Sequence, residues 1–166
     1  MRLEGTAVVI DQDDVDTDVM YPGQFIGILD DREMAKHLFE GLDPTLRDQL
    51  VGDTILVAGA NFGTGSSREN VPAAMRAAGV KCVIAKSFAR IFQRNCINLG
   101  LLAVPCPEAV AAARPGAQIR IEVESGAISV GGRTFQAAAL PPFMIELVEC
   151  GGLAPWIRNR GRTPRV

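Results

Sequence analysis

Ser66, Ser67 and Arg68 stand in consecutive positions just after two glycines, in the run Asn61-Phe-Gly-Thr-Gly-Ser-Ser-Arg-Glu69. A hydroxyl can give up or take a proton, and a guanidinium presents a rigid fork of donors that matches a carboxylate or phosphate. Gly63 and Gly65 let the backbone turn sharply and approach a ligand closely. The run follows the apolar stretch Thr54-Ile-Leu-Val-Ala58 and leads into a helical pattern over 68–78. The serines and the arginine therefore fall where a helix is expected to begin. That end of a helix carries unpaired N–H groups and partial positive charge, so it attracts anions. The chemistry implied is capture of an oxyanion with a hydroxyl beside it.

Spacing removes several alternatives. A dinucleotide fingerprint needs a third glycine, and Arg68 occupies that position. A phosphate-binding P-loop needs a lysine after its second glycine. A nucleophile elbow needs a histidine and an acid elsewhere, and the only histidine of the chain is His37. A structural reading also competes, because Ser66 and Glu69 form the S-x-x-E capping box that closes the start of many helices.

The elements around this run alternate in type. Strands are expected over 6–10, 54–58, 81–85 and 101–104, and helices over 31–40 (capped by Asp31), 68–78 and 89–98. From Gln118 the period becomes two: Ile119, Ile121 and Val123 alternate with Arg120, Glu122 and Glu124. With turns at Ser125-Gly126 and Gly131-Gly132, this reads as an antiparallel meander with one wet face. A last helix is expected over 143–150, stopped by Gly151-Gly152. Parallel β-α units followed by antiparallel strands give an α/β fold with a mixed sheet. The 166 residues suit one domain, with a core over about 5–157 and a basic tail over 158–166.

Hydrophobic residues make up 48% and charged residues 22%, which excludes disorder, and the net charge of −2 gives no electrostatic case for nucleic acid or an anionic membrane. No apolar run reaches the roughly 18 residues of a spanning helix, and the acids from Asp11 to Asp18 do not fit a signal peptide, so a cytosolic location is expected. Cys82, Cys96, Cys106 and Cys150 have neither C-x-x-C spacing nor a matching histidine set, so no metal or cluster site is expected in this chain.

Four segments together carry a family resemblance: 61–69; Asp14-Val-Asp-Thr-Asp18 with Tyr21-Pro22; Val83-Ile-Ala-Lys-Ser-Phe-Ala-Arg-Ile-Phe92 with Asn95, Asn98 and Gly100-Leu-Leu102; and Leu140-Pro-Pro-Phe with Gly151-Gly-Leu153. In this order they resemble the swivelling domain of the aconitase superfamily, and in particular the small subunits of 3-isopropylmalate dehydratases. The resemblance implies a three-layer β/β/α swivelling domain. It implies a hydro-lyase that isomerises a hydroxy acid by removing and re-adding water, with Ser66 as catalytic base, Ser67 and Arg68 on the substrate, and Thr64 and Gly65 in the binding loop. It implies a [4Fe–4S] cluster on a separate large subunit and an active site completed by that partner. Self-association of the isolated chain stays open.

The segment Pro22-Gly-Gln-Phe-Ile-Gly27 matches the family's specificity loop. Gln24, Phe25 and Ile26 are neutral or apolar, which favours an alkyl group over a third carboxylate. Isopropylmalate fits, and so do methylmalate and dimethylmalate, ahead of homoaconitate. The competing reading makes Phe25 and Ile26 core residues. A non-catalytic carboxylate-binding or regulatory module is the alternative of another class; retention of both serines and Arg68 counts against it. Asp18 is expected near the substrate loop, in a structural acidic loop rather than a Ca²⁺ loop, which would need a glycine and a glutamate that are missing. Family members often have Cys at Thr64 and His at Asn70; the second departure leaves the choice of substrate open.

Overall fold

The computed structural model describes residues 1–66 and 68–160. Seven strands form one sheet in the order β4-β3-β2-β1-β5-β6-β7. Strands β1 (Arg2–Ile10), β2 (Thr54–Ala58), β3 (Val80–Ala85) and β4 (Leu102–Pro105) run parallel. Strands β5 (Gln118–Glu122), β6 (Ala127–Val130) and β7 (Arg133–Gln136) continue the sheet antiparallel from β1. The expected α/β fold with a mixed sheet is therefore present. β1 begins earlier than its β-branched run suggests, because Arg2–Thr6 pair with β5 while Thr6–Ile10 pair with β2.

Each side of the sheet has its own core. Val8, Leu56 and Val83 face Met75 of α3 (Asn70–Ala77) and Phe92 and Cys96 of α4 (Arg90–Asn98), together with Met20, Tyr21, Leu38 and Phe39. The alternate residues Ala7, Ile55, Val57 and Ile84 share a second core with Ile119, Ile121, Ile128 and Val130 of the meander. The sheet therefore curls until its antiparallel half covers the back of its parallel half. This is the β/β/α layering expected, and it explains why β2 and most of β3 are buried on both faces.

Some elements depart from the sequence pattern. The first long helix is shorter than expected: α2 spans Asp31–Ala35, and Asp30 rather than Asp31 caps it, accepting from the Glu33 N–H at 3.0 Å. Residues 36–42 coil instead, so that Leu38 and Phe39 are fully buried, with Phe39 at φ 62°. Three helices were not expected: α1 (Thr17–Met20), α5 (Pro107–Ala112) and α7 (Leu153–Arg160), the last starting directly after Gly151-Gly152. The helix α6 (Pro142–Glu149) lies where one was expected. Of the basic tail, 161–166 lie outside the described residues.

The register of the parallel strands locates the site. Ile10 pairs with Ala58, Ala58 with Ala85, and Ala85 with Pro105. The carboxyl ends of four neighbouring strands thus form one row, and the loops that follow them leave the sheet side by side. Open α/β sheets place ligands at this edge.

Candidate active site

Three of those loops are zipped together by main-chain and side-chain hydrogen bonds. The acidic loop after β1 lies along the 59–66 loop after β2. The Asp14 N–H donates to the Ala60 carbonyl at 2.9 Å, the Gly63 N–H to Val15 at 3.0 Å, and the Thr17 N–H to Thr64 at 2.9 Å. Side chains reinforce the seam: the Asp13 carboxylate accepts from the Ala60 N–H at 2.7 Å, and Asn61 Nδ2 donates to Asp14 at 2.8 Å. On the other flank, the segment after β3 exchanges bonds between Phe62 and both Ser87 and Ala89, each at 3.0 Å. Asp13, Asp14 and Asp16 are thus structural ties: Asp16 caps α1 through the Asp18 N–H at 2.7 Å.

This seam leaves no room for side chains at the two glycines. A Cβ on Gly63 would enter the ring of Phe92, and one on Gly65 would enter the Asp16 carboxylate. Both residues also have positive φ, at 82° and 87°, a region that other residues avoid.

Ser66 does not cap a helix. α3 starts at Asn70, with Glu69 at its cap position and no side-chain hydrogen bond there, so the capping box is not formed. The helix begins two residues later than the pattern suggests, and Ser66 is left in the loop with an exposed position. Its carbonyl is held by the Thr17 hydroxyl at 2.8 Å. Ser67 lies outside the described residues.

Ser66 opens onto a cleft of about 480 Å³ that Thr64, Gly65 and Arg68 also line. Arg68 is largely buried. Its Nη1 donates to the Tyr21 carbonyl at 3.1 Å, and its Nη2 pairs with Asp18 at 3.0 Å. Two fixed partners leave the fork with further N–H donors while holding its orientation. The opposite wall of the cleft was not foreseen. It is the start of α4: Ala89, Arg90, Ile91 and Phe92, with Arg94 one turn on. No side chain caps this helix, so the helix end that brings N–H groups and positive dipole to the cleft is α4's rather than α3's. Among the described residues, neither Arg90 nor Arg94 has an acidic partner, and three arginines thus line one cleft. In the sequence Arg90 and Arg94 look like ordinary charges on the outer face of a helix; only the strand register shows that the helix starts beside Ser66.

Asp18, Gln24, Phe25 and Ile26 do not line the cleft. They adjoin it through Arg68: Gly23 packs on the guanidinium, where an added Cβ would lie 3.6 Å from both terminal nitrogens. Phe25 is half-buried and stacks on His37 with ring centroids 3.8 Å apart, while Ile26 is 43% exposed. One of the pair is therefore anchored in the core and the other is free. Asn70 reaches the same segment, its Nδ2 lying 3.5 Å from the Ile26 carbonyl.

The electrostatics separate the loops from the cysteines. The Ala60 N–H, and after it Lys86, hold the Asp13 carboxyl below its ordinary value. Burial pushes the Cys82 and Cys96 thiols well above theirs. Among the described residues, no three histidine, cysteine or acidic side chains come together as a metal site.

Comparison with known proteins gives the geometry a family. The aconitase C-terminal domain model matches residues 43–109, which include the strand and loop that carry Ser66. The 3-isopropylmalate dehydratase small subunit of Moorella thermoacetica is 44% identical over 90% of this chain and 92% of its own length. The chain belongs to the 3-isopropylmalate dehydratase small-subunit family. Within it, the 2,3-dimethylmalate dehydratase small subunit of Eubacterium barkeri is 46% identical over 87% of this chain and 90% of its own. A crystal structure of the 3-isopropylmalate dehydratase protein from Methanocaldococcus jannaschii superposes with a TM-score of 0.89 at 34% identity, covering 97% of this chain and 96% of that one. As in the rest of the small-subunit family that it joins, this chain is a dehydratase subunit, a lyase component of the aconitase superfamily. Among its described residues no helix is long and apolar enough to cross a membrane.

Proposed function

We propose that this chain is the small subunit of a cytosolic two-subunit hydro-lyase that interconverts 2-isopropylmalate and 3-isopropylmalate in leucine biosynthesis. The observation that carries the proposal is that Ser66 and Arg68 line one cleft with the uncapped start of α4. The substrate is a dicarboxylate, and the cleft is rich in fixed donors. Arg68, held by Tyr21 and Asp18, takes one carboxylate.

Dehydration requires a proton to leave a carbon next to a carboxylate, and that proton is weakly acidic. Negative charge then grows on the carboxylate oxygens. Arg68 and the N–H groups of the loop are oriented before the reaction starts, so they stabilise that charge without reorganising. Ser66 serves as the base. A free serine hydroxyl ionises far above neutral pH, and only surrounding positive charge and N–H donors bring its alkoxide within reach. The arginines and the α4 terminus supply that surrounding. Ser67 contacts the substrate beside it, with Thr64 and Gly65 shaping the loop.

Departure of the hydroxyl calls for a Lewis acid. Among the described residues no three cysteine, histidine or acidic side chains come together to hold a cluster, and Cys82 and Cys96 are fully buried. The [4Fe–4S] cluster is assigned to the large subunit, which completes the site. The Gln24–Ile26 segment presents a neutral surface next to Arg68, suited to an alkyl substituent.

The test is reconstitution with a 3-isopropylmalate dehydratase large subunit, following isomerisation of 2-isopropylmalate. Activity should require both chains, and Ser66→Ala should lower kcat by about 10²- to 10⁴-fold without changing the thermal midpoint. Full activity from this chain alone, or from Ser66→Ala, refutes the proposal. A second reading, dehydration of 2,3-dimethylmalate, is favoured by the Eubacterium barkeri relative. The same reconstituted enzyme separates the two by the ratio of kcat/KM for the two malates, with homoaconitate as a tricarboxylate control.

A further inference from the structure

Beside the cleft, and sharing Arg90 and Arg94 with it, lies a second depression of about 320 Å³ between α4 and α6. Its floor is apolar: Ile97 of α4, Leu140, and Phe143, Met144 and Leu147 of α6. Phe143 and Met144 are 49% and 38% exposed, and Ile91 on the neighbouring rim is 54% exposed. Large apolar side chains scattered singly are ordinary on a surface, but a contiguous group with a charged rim marks a contact site.

We infer that this groove is the docking surface for the large subunit, extending the contact outward from the shared active site. The inference rests on the two-chain reading above, and two observations choose the occupant. First, the groove is continuous with the cleft that the large subunit must close, because Arg90 and Arg94 stand on the ridge between them. A partner seated over Ser66 meets Arg90 and Arg94, which also line the groove. Second, the ridge carries two guanidinium groups without acidic partners among the described residues. The partner surface is therefore one that places an apolar side chain between Ile97 and Met144 and sets carboxylates against Arg90 and Arg94. Buried aromatic and arginine contacts of this kind dominate interface energies.

The experiment titrates wild-type chain, Met144→Glu and Phe143→Ser with a 3-isopropylmalate dehydratase large subunit, reading activity and complex formation by sedimentation. Met144→Glu keeps the edge contact of Phe143 on Trp156, and thermal melts check that both variants are folded. Expected is a rise of about tenfold or more in the half-saturating concentration of large subunit for each variant, with turnover at saturation within about twofold of wild type. Wild-type binding should also weaken as salt rises, and Arg94→Glu should remove that dependence in the sedimentation assay. Half-saturating concentrations equal to wild type overturn the inference while leaving the catalytic proposal standing. So does a wild-type homodimer that Met144→Glu dissociates with no effect on the large subunit, since the occupant is then a second copy. A wild-type chain that never forms an active complex overturns both.

Discussion

The parallel and antiparallel halves of this sheet differ in their connections, and the candidate site lies on the parallel half alone. In the parallel half, every strand ends at the same row, from Ile10 through Ala58 and Ala85 to Pro105. Each chain crossing must leave there and travel before returning, so three loops are held side by side. In the antiparallel half, β5, β6 and β7 are joined by the tight turns at Ser125-Gly126 and Gly131-Gly132, so no long loop connects them. The meander instead supplies Ile119, Ile121, Ile128 and Val130 to the back of the parallel strands. A site here is a property of connections, and the meander contributes the stiffness beneath them.

The contrast is sharpest at glycines of equal backbone conformation. Gly63 in the site loop and Gly132 in the meander turn have φ 82° and 81°. An added methyl at Gly63 meets the Phe92 ring, while at Gly132 it meets nothing within 4 Å. Gly132→Ala should therefore cost only the left-handed backbone penalty of about 1–2 kcal/mol and leave activity intact. Gly63→Ala adds overpacking of about 1–3 kcal/mol and displaces the loop, so the reconstituted enzyme should lose most of its activity. Urea denaturation and kcat measured on the pair check this; equal stability losses would erase the distinction between the regions.

A smaller effect is expected at the seam itself. Thr17 is 2% exposed, and its hydroxyl donates to the Ser66 carbonyl at 2.8 Å. Thr17→Val keeps the shape and leaves that carbonyl without its partner, at about 1 kcal/mol. Its consequence for kcat should exceed what the stability loss implies, because the bond is made to the backbone of the proposed base itself. A matched control in the meander is Thr134→Val, which removes the exposed Ser129–Thr134 pair at 3.1 Å and should change neither kcat nor stability measurably.

The same contrast governs what could be read in advance. The mixed sheet, the meander and the loop of Ser66 and Arg68 were legible because glycine spacing and hydrophobic period are local signals. The cleft's other wall was not. Arg90 and Arg94 become site residues only through the pairing of β3 with β2, a contact between distant segments. The S-x-x-E pattern at Ser66 pointed to a cap that does not form, since the loop's hydrogen bonds go to Thr17 and the acidic loop and the helix starts at Asn70. α7 escaped because Gly151-Gly152 read as the end of the last helix, whereas a new helix starts directly after them, with Pro155 in its first turn, where no N–H is needed.

The smallest expected effect is a pH dependence. Asp13 ties the two site loops by accepting from the Ala60 N–H, and it pairs with Lys86 at 3.2 Å; these hold its carboxyl below the ordinary value. Glu4, on the wet side of β1 facing the meander, is likewise lowered, first by its hydrogen bond from Arg120 and against a smaller opposing effect of desolvation. A carboxyl whose folded pKa is depressed adds stability that is complete above its unfolded pKa, about 4 for these side chains. That stability drains away as pH falls through the folded value. The stability gap between wild type and Asp13→Asn should therefore be constant near neutrality and close progressively below about pH 4. Glu4→Gln should show the same acid closure. Activity near neutrality divides them: Glu4→Gln should match wild type, while Asp13→Asn should lose part of its turnover, because only Asp13 is tied to the loop that carries Ser66. Denaturation midpoints from pH 6 to 2.5 and kcat near pH 7 measure both, and equal kcat for the two variants would mean that the seam can slacken without disturbing the site.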